Sequence, residues 1–375
     1  MKDLDQNGIA DDYELPLAEK FCPYLILEAA DQGVRPVPVE ILDRNGDGKL
    51  GWEDLYAIVK YEPNNYYDIP VDKIQILGGK GFWHYENVYP KCRIYEDQFI
   101  YFEYGSQPYY AWSYVIPHFE WGNLGDTNPT SWYNTWYNKL TVNNTSPYTD
   151  GTTYAHFFIK ESKVVIQYYF FYPFNASANR HEGDWEHINV VLNSQNPVTT
   201  TIQRVEYYFH HKYLNCSTPG VDYYVKNSTH PRVYVAGHIC SEYCGEGSHG
   251  SYPKAKRWAD IGPFDVDEDV HGDGLHIDFN GYKNIIIIPE PGKVDNSSDL
   301  NWLKFKGLWG QVLSHPSSGE AALQGAKIFF KGVLFGILDF LYSPPDDVGN
   351  VAPVGPPYQQ PWDNLGPDSG QDIYP

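Results

Sequence analysis

The run Val164-Val165-Ile166-Gln167-Tyr168-Tyr169-Phe170-Phe171-Tyr172 constrains the fold more than any other stretch of the chain. β-Branched and aromatic residues in succession fit a pleated strand buried on both faces. A second run of the same kind, Ile188-Asn189-Val190-Val191-Leu192, follows a short polar segment. Further candidate strands span 74–77, 98–104, 109–116, 154–160, 202–209, 233–236 and 284–288. Gly, Pro, Asn and Asp clusters separate them. Alternation is clearest in Val205-Glu206-Tyr207-Tyr208-Phe209 and Arg232-Val233-Tyr234-Val235. Many short strands with such turns predict a mainly β protein, an antiparallel β-sandwich. The 33 Tyr and 11 Trp agree, since their flat amphipathic rings pack well on sheets.

Between the two strongest runs lies His181-Glu182-Gly183-Asp184-Trp185-Glu186-His187. Residues two apart on a strand share a face, so Asp184 and Glu186 project together. His181 precedes them across a glycine-containing bend and can close on the same point. Two carboxylates and an imidazole suit a divalent cation or acid-base chemistry. The competing reading is a surface turn with solvated charges and a half-buried Trp185.

The first 62 residues read as a small helical calcium-binding module. The loop Asp3-Leu4-Asp5-Gln6-Asn7-Gly8-Ile9-Ala10-Asp11-Asp12-Tyr13-Glu14 has oxygen ligands at positions 1, 3, 5, 9 and 12 and glycine at 6. The ligand set is Asp3, Asp5, Asn7, Asp11 and Glu14, with Ile9 at the backbone-carbonyl position. A second loop begins at Asp43 and offers Asp43, Asn45, Asp47 and Asp54, with Lys49 at the carbonyl position and Gly48 at the turn. Calcium needs this density of hard oxygens, and two such loops in one short segment argue against chance. The segment from Leu55 to Tyr61 reads as a helix leaving the second loop. Both loops resemble those of EF-hand and dockerin modules. They begin further apart than in tandem dockerins, and Asp12-Tyr13 and Trp52-Glu53 replace the small hydroxyls expected at partner-contact positions. Calcium is therefore expected to order a segment too short to bury a core of its own.

Residues 63–342 read as the β-sandwich domain and 343–375 as an extended Pro/Gly-rich tail. The longest apolar region, 321–342, is broken by Lys327, Lys331 and Asp339, which favours a buried or interface helix over a membrane span. A net charge of -21 argues against a nucleic-acid partner or an anionic membrane bound through a basic surface. Sequons at Asn143, Asn144, Asn175, Asn215, Asn227 and Asn296, beside calcium loops, favour an extracellular or cell-surface glycoprotein. Of five cysteines, Cys240 and Cys244 are spaced for a small-loop disulfide. Catalytic motifs are lacking: there is no nucleophile elbow and no second zincin histidine, and Gly245 to Gly250 has no following helix to make a nucleotide site.

The motif from His181 to His187, together with Gly247-Ser248-His249-Gly250-Ser251-Tyr252, Lys306-Gly307-Leu308-Trp309-Gly310 and Val354-Gly355-Pro356-Pro357, resembles the vacuolar-protein-sorting-sixty-two-like family. The first two motifs resemble, more remotely, the necrosis-inducing Nep-like cytolysins. The resemblance spans roughly 70–365. It implies a β-sandwich with a divalent cation on His181, Asp184 and Glu186 and with His249 nearby. The family's further aspartate falls at Pro173 by simple offset, so that ligand has no direct match.

The combined expectation is an extracellular calcium-binding glycoprotein with a structural, self-assembling and non-enzymatic role, its partner being itself. One alternative is a membrane-directed, cytolysin-like protein that binds lipid through the central cation. Another is a metal-dependent hydrolase with Glu182 or His249 as base. A last one is a dockerin-type partner module in residues 1–62.

Overall fold

In a computed structural model of the chain, the described residues are 2–28, 35–42, 50, 56–61, 65–70, 75–77, 80–85, 89–94, 100–104, 107–110, 115–117, 151–175, 181–209, 212–217, 225–227, 229–236, 249–261, 266–277, 282–294, 298–304, 355–358, 362–365 and 371–372. For some of these, including all of 56–117 and His181 and Glu182, only the backbone is described. The second calcium-like loop apart from Leu50, the 321–342 segment, the Cys240–Cys244 pair and the expected boundaries at 62 and 342 lie outside the described residues.

The chain opens with the helix α1 (Asp11–Lys20), the one α-helix among the described residues, and the strand β1 (Tyr24–Ile26). Asp11, Asp12 and Glu14 fill the first turn of α1 and Lys20 the last, which complements the helix dipole. Eight strands follow: β2 (Tyr56–Tyr61), β3 (Asn65–Pro70), β4 (Gln75–Leu77), β5 (Lys80–Tyr85), β6 (Tyr89–Ile94), β7 (Ile100–Tyr104), β8 (Gln107–Tyr110) and β9 (Val115–Pro117). They form a three-stranded sheet, β3-β2-β9, and a meander from β4 to β8. β2 corrects the helix expected after the second loop. Its sequence YAIVKY is rich in aromatic and β-branched side chains, which lose rotamer freedom in a helix and pack well on a sheet.

The main sheet has seven strands: β10 (Gly151–Lys160), β11 (Lys163–Asn175), β12 (His181–Leu192), β13 (Ile202–Phe209), β14 (Lys212–Ser217), β21 (Tyr282–Ile288) and β22 (Gln371–Asp372). Their order is β21-β10-β11-β12-β13-β14-β22. The central pairs are antiparallel. Both outer pairs, β10 with β21 and β14 with β22, are parallel. A second sheet joins β1 to β15 (Val225–Lys226), β16 (His230–Val235), β17 (Ser251–Tyr252) and β20 (His276–Ile277), with β1 and β16 parallel. A separate hairpin pairs β18 (Lys256–Ile261) with β19 (Val266–Val270). The β-rich expectation holds. The purely antiparallel part does not: in the main sheet β21 and β22 add parallel edges, and in the second sheet β1 and β16, more than 200 residues apart, pair in parallel at its centre.

Ile166, Tyr168, Phe170, Ile188, Val190, Val205 and Tyr207 turn one face of the main sheet inward. They share one buried cluster with Ile9, Leu17, Phe21 and Leu25 from the N-terminal segment and Val233 and Val235 from the second sheet. Tyr168 donates its hydroxyl proton to the Ala18 carbonyl at 2.9 Å, and Lys20 Nζ reaches the carbonyls of Pro197 and Thr200. The N-terminal helix is thus part of the core of this sheet. The described parts of the tail also pack inward. Leu365 is buried with Phe158, Val165 and Val191, and β22 extends the sheet.

Among the described residues there is no disulfide; Cys22 is a buried thiol beside His230. No described helix is long and apolar enough to cross a membrane. Of the sequon asparagines, Asn227 is exposed on a turn at φ +55°.

Candidate cation sites

The first calcium-like loop is folded around its own carboxylates. Oxygens of Asp3, Asp5 and Asp11 lie within 4.8 Å of one another. Asn7 Nδ2 donates to Asp5 Oδ2 at 2.9 Å and to Glu14 Oε1 at 2.5 Å. The amides of Gly8 and Ile9 donate to Asp3 Oδ2 and Asn7 Oδ1. Gly8 sits at φ +90°, which favours glycine, and a Cβ there would meet the Ile159 Cδ1 methyl at 2.7 Å, so that side chain would have to shift. Burial pushes the Glu14 carboxyl up to about 7, and the nearby negative charges of Asp5, Asp11 and Asp3 add to this. Burial also raises Asp5, and the neighbouring carboxylates Asp3 and Asp11 add to this against the lowering hydrogen bond from the Asn7 amide. A set of hard oxygens that holds protons against its own repulsion can exchange them for a divalent cation.

The central motif is a strand throughout rather than a turn: β12 starts at His181. Gly183 at φ +64° adjusts the pleat where the ladder passes from the Glu182 pair to the Asp184 pair. Beyond it, Asp184 and Glu186 alternate onto the same face as Ile188 and Val190, as the spacing predicted, and both are buried. Asp184 lies across from Tyr172 and Glu186 from Phe170. His249, from the segment before β17, brings Nδ1 to 2.9 Å from Asp184 Oδ2. Its ring stacks on Tyr172 with centroids 4.1 Å apart and planes 3° apart. The backbone of His249 is at φ +55° and is held by bonds between its amide and the Ala236 carbonyl and between the Ala236 amide and the Gly250 carbonyl. Such a conformation costs a non-glycine residue about 1–3 kcal/mol and persists where surrounding structure enforces it. Asp184 and His249, 65 residues apart, therefore meet, which the spacing within β12 did not indicate and which only the resemblance of the two motifs implied.

Asp184, Glu186 and His249 are not among the groups whose three ligand atoms all fall within 4.8 Å. The described residues hold one such group that the sequence did not announce: His156, Glu290 and Asp363. His156 and Asp363 are 207 positions apart, and no motif links them. It lies on the other face of the main sheet, under the C-terminal segment.

No family model matches the chain, and no curated protein matches it. Neither the vacuolar-protein-sorting-sixty-two-like resemblance nor the EF-hand and dockerin resemblance gains support from these comparisons. Solved structures of Nep-like proteins do match in part. A non-toxic HaNLP3 protein is 16% identical over 37% of this chain and 52% of its own, at a TM-score of 0.23. Necrosis and Ethylene inducing Protein 2 from the causal agent of cocoa's Witches Broom disease is 18% identical over 39% and 54%, at 0.23. NLPPya in complex with mannosamine is 16% identical over 37% and 50%, at 0.23. The chain spans about half the length of these structures.

Proposed function

We propose that this chain is a calcium-stabilised, non-enzymatic β protein of the cell exterior that engages a polar ligand, such as a lipid head group, through a divalent cation held by Asp184, Glu186 and His249, with His181 as a further ligand. The observation that carries the reading is the Asp184–His249 contact at 2.9 Å beside the buried Glu186. Two carboxylates buried on one face of a strand beside an imidazole offer the hard oxygen and nitrogen donors that a divalent cation takes. A cation held there leaves coordination positions for an incoming oxygen. The Asp3–Glu14 loop has a different role in this reading. It packs against Ile159 of β10 and leads into α1, so calcium there tightens the fold. The exposed Asn227 suits glycosylation outside the cell. The self-assembling structural role gains no support from the tail, whose described parts pack on their own sheet.

The test is binding of the calcium-loaded protein to vesicles carrying sphingolipid head groups, before and after chelation, for wild type and Asp184→Asn. The reading requires binding that chelation removes and Asp184→Asn abolishes while the folded circular dichroism spectrum is kept. Equal binding by the variant overturns it. Turnover of a glycan or ester substrate that vanishes with chelation would assign the same site to hydrolysis. Ordered polymers in sedimentation and electron microscopy that loosen on chelation would restore the structural role.

A further inference from the structure

We propose that His156, Glu290 and Asp363 form a further, separate cation site, of the class that binds Zn²⁺, which pins the C-terminal segment to the outer face of the main sheet. His156 Nε2 lies 2.6 Å from Asp363 Oδ1 and 3.2 Å from Glu290 Oε1. On the opposite side of the ring, Nδ1 lies 3.2 Å from the Ile288 carbonyl. A carbonyl only accepts, so Nδ1 carries a proton and donates it. In the neutral ring this tautomer leaves the Nε2 lone pair facing two carboxylates. Three electron-rich atoms then converge on one point, and either a metal cation between them or a proton on Nε2 relieves their repulsion. An imidazole whose far nitrogen is anchored to a carbonyl is also the arrangement that orients metal-bound histidines.

The surroundings are built for a fixed site. His156 is buried, while Glu290 and Asp363 remain 33% and 42% exposed, which leaves a path for an ion. Trp362 covers the imidazole, with centroids 3.8 Å apart and planes 16° apart, and its indole N–H reaches both oxygens of Glu290 at 3.2 and 3.1 Å. The backbone places Asp363 at φ +54° and directs its amide toward Gln167 Oε1 at 3.4 Å. An independent observation lies beneath. The Tyr169 hydroxyl is fully buried, has no hydrogen-bond partner among the described residues, and belongs to a ring packed 5.8 Å from Trp362. Asp363 and Glu290 both act on it electrostatically.

One nitrogen and two carboxylates favour Zn²⁺ over Ca²⁺, which takes six to eight oxygens. Three protein ligands leave a fourth position for water. The competing occupant is a proton, with His156 as an imidazolium between the two carboxylates. The proposal does not rest on the Asp184 site, since the two share no residue.

The experiment uses the full chain in the Asp184→Asn background, freed of metal by chelation and then held in excess Ca²⁺ to fill oxygen-only sites. Co²⁺ is the probe, followed by its visible absorption, with thermal melting in Zn²⁺ as a second readout. The expected result is one Co²⁺ per chain and a melting temperature raised by Zn²⁺. Changes beside a metal's ligands cost about 10–100-fold in affinity, so Asp363→Asn and Glu290→Gln should each lose more than that and lose the Zn²⁺ shift. Both carboxylates are partly exposed, so these variants should fold even where His156→Gln does not. A folded protein that takes up no Co²⁺ overturns the proposal in favour of the proton. So does Co²⁺ binding unchanged by Asp363→Asn and Glu290→Gln.

Discussion

The two faces of the main sheet are both buried, yet they are made of different material. The inner face carries Ile166, Tyr168, Phe170, Ile188, Val190, Val205 and Tyr207 against α1 and the second sheet. The outer face carries His156, Gln167, Tyr169, His187, Asn189, Arg204, Glu206 and Tyr208, all at most 9% exposed. On the inner face, apart from the Asp184–Glu186 end of β12 where His249 meets Asp184, apolar area removed from water does the stabilising. On the outer face every buried polar group needs a partner. Arg204 pairs with Glu206 at 2.6 Å, and Tyr208 donates to Glu206 at 2.7 Å. Asn189 Nδ2 reaches Glu206, Tyr208 and the Asn364 carbonyl. His187 is clamped between the Tyr169 and Tyr208 rings. The difference teaches that an apolar stretch constrains its cover by shape, whereas buried polar groups also fix its partners, here Trp362 to Asn364, with Leu365 filling the apolar patch of Phe158, Val165 and Val191 beside them.

The contrast can be broken most strongly on the inner face. Phe170→Ala removes a fully buried ring and should cost about 3–5 kcal/mol in urea unfolding, with little dependence on pH. On the outer face, Glu206→Leu should cost about 3 kcal/mol because it strands Arg204. The double variant Arg204→Met/Glu206→Leu should recover most of that loss. A double variant as unstable as the single one would show that the ion pair is not the source of the effect.

Next in size is the junction between the N-terminal loop and β10. Gly8→Ala adds a Cβ to a φ of +90° against Ile159, and should lower stability by about 1–3 kcal/mol. An unchanged melting temperature would mean that the loop shifts without cost.

His187 sharpens the comparison through pH. Burial holds its pKa down at about 3, against an ordinary value of 6.5. A depressed folded value means the unfolded chain takes up the proton first. The stability contributed by neutral His187 is therefore present above about pH 6.5 and is lost as pH falls toward 3. His187→Phe keeps the stack with both tyrosines and removes the proton acceptor, so its acid-unfolding midpoint should move to lower pH. A midpoint equal to that of the wild type would place the acid trigger elsewhere.

The smallest effect concerns the first loop. With Glu14 raised to about 7, the metal-free fold loses this group's contribution as pH rises through that value. Calcium takes the proton's place, so its affinity should climb by up to about tenfold per pH unit below pH 7 and level off above it. Calorimetry at pH 6 and pH 8 checks this, and pH-independent affinity would remove Glu14 from the ligand set.

The sequence by itself marked five of the seven strands of the main sheet, β10 to β13 and β21, because β-branched and aromatic runs have few other solutions; β14 and β22 carried no such signal. It placed Asp184 and Glu186 on one face, because strand periodicity is two. It also marked the Asp3–Glu14 loop, whose candidate ligands lie within twelve residues and whose Gly8 takes φ +90°. Where only local pattern spoke, one reading failed: the segment from Tyr56 to Tyr61 pairs as a strand, though its position after a calcium-like loop suggested a helix. The tertiary structure alone decided the parallel edges of the main sheet, since β21 and β22 arrive from far along the chain to meet β10 and β14. It alone decided that His249 meets Asp184 at 2.9 Å, and that His156, Glu290 and Asp363 converge beneath Trp362. Periodicity reports which face a side chain takes, and a motif reports neighbours within a few residues. Neither reports which distant segment will cover a buried polar face, because that follows from hydrogen bonds formed only once the sheet exists.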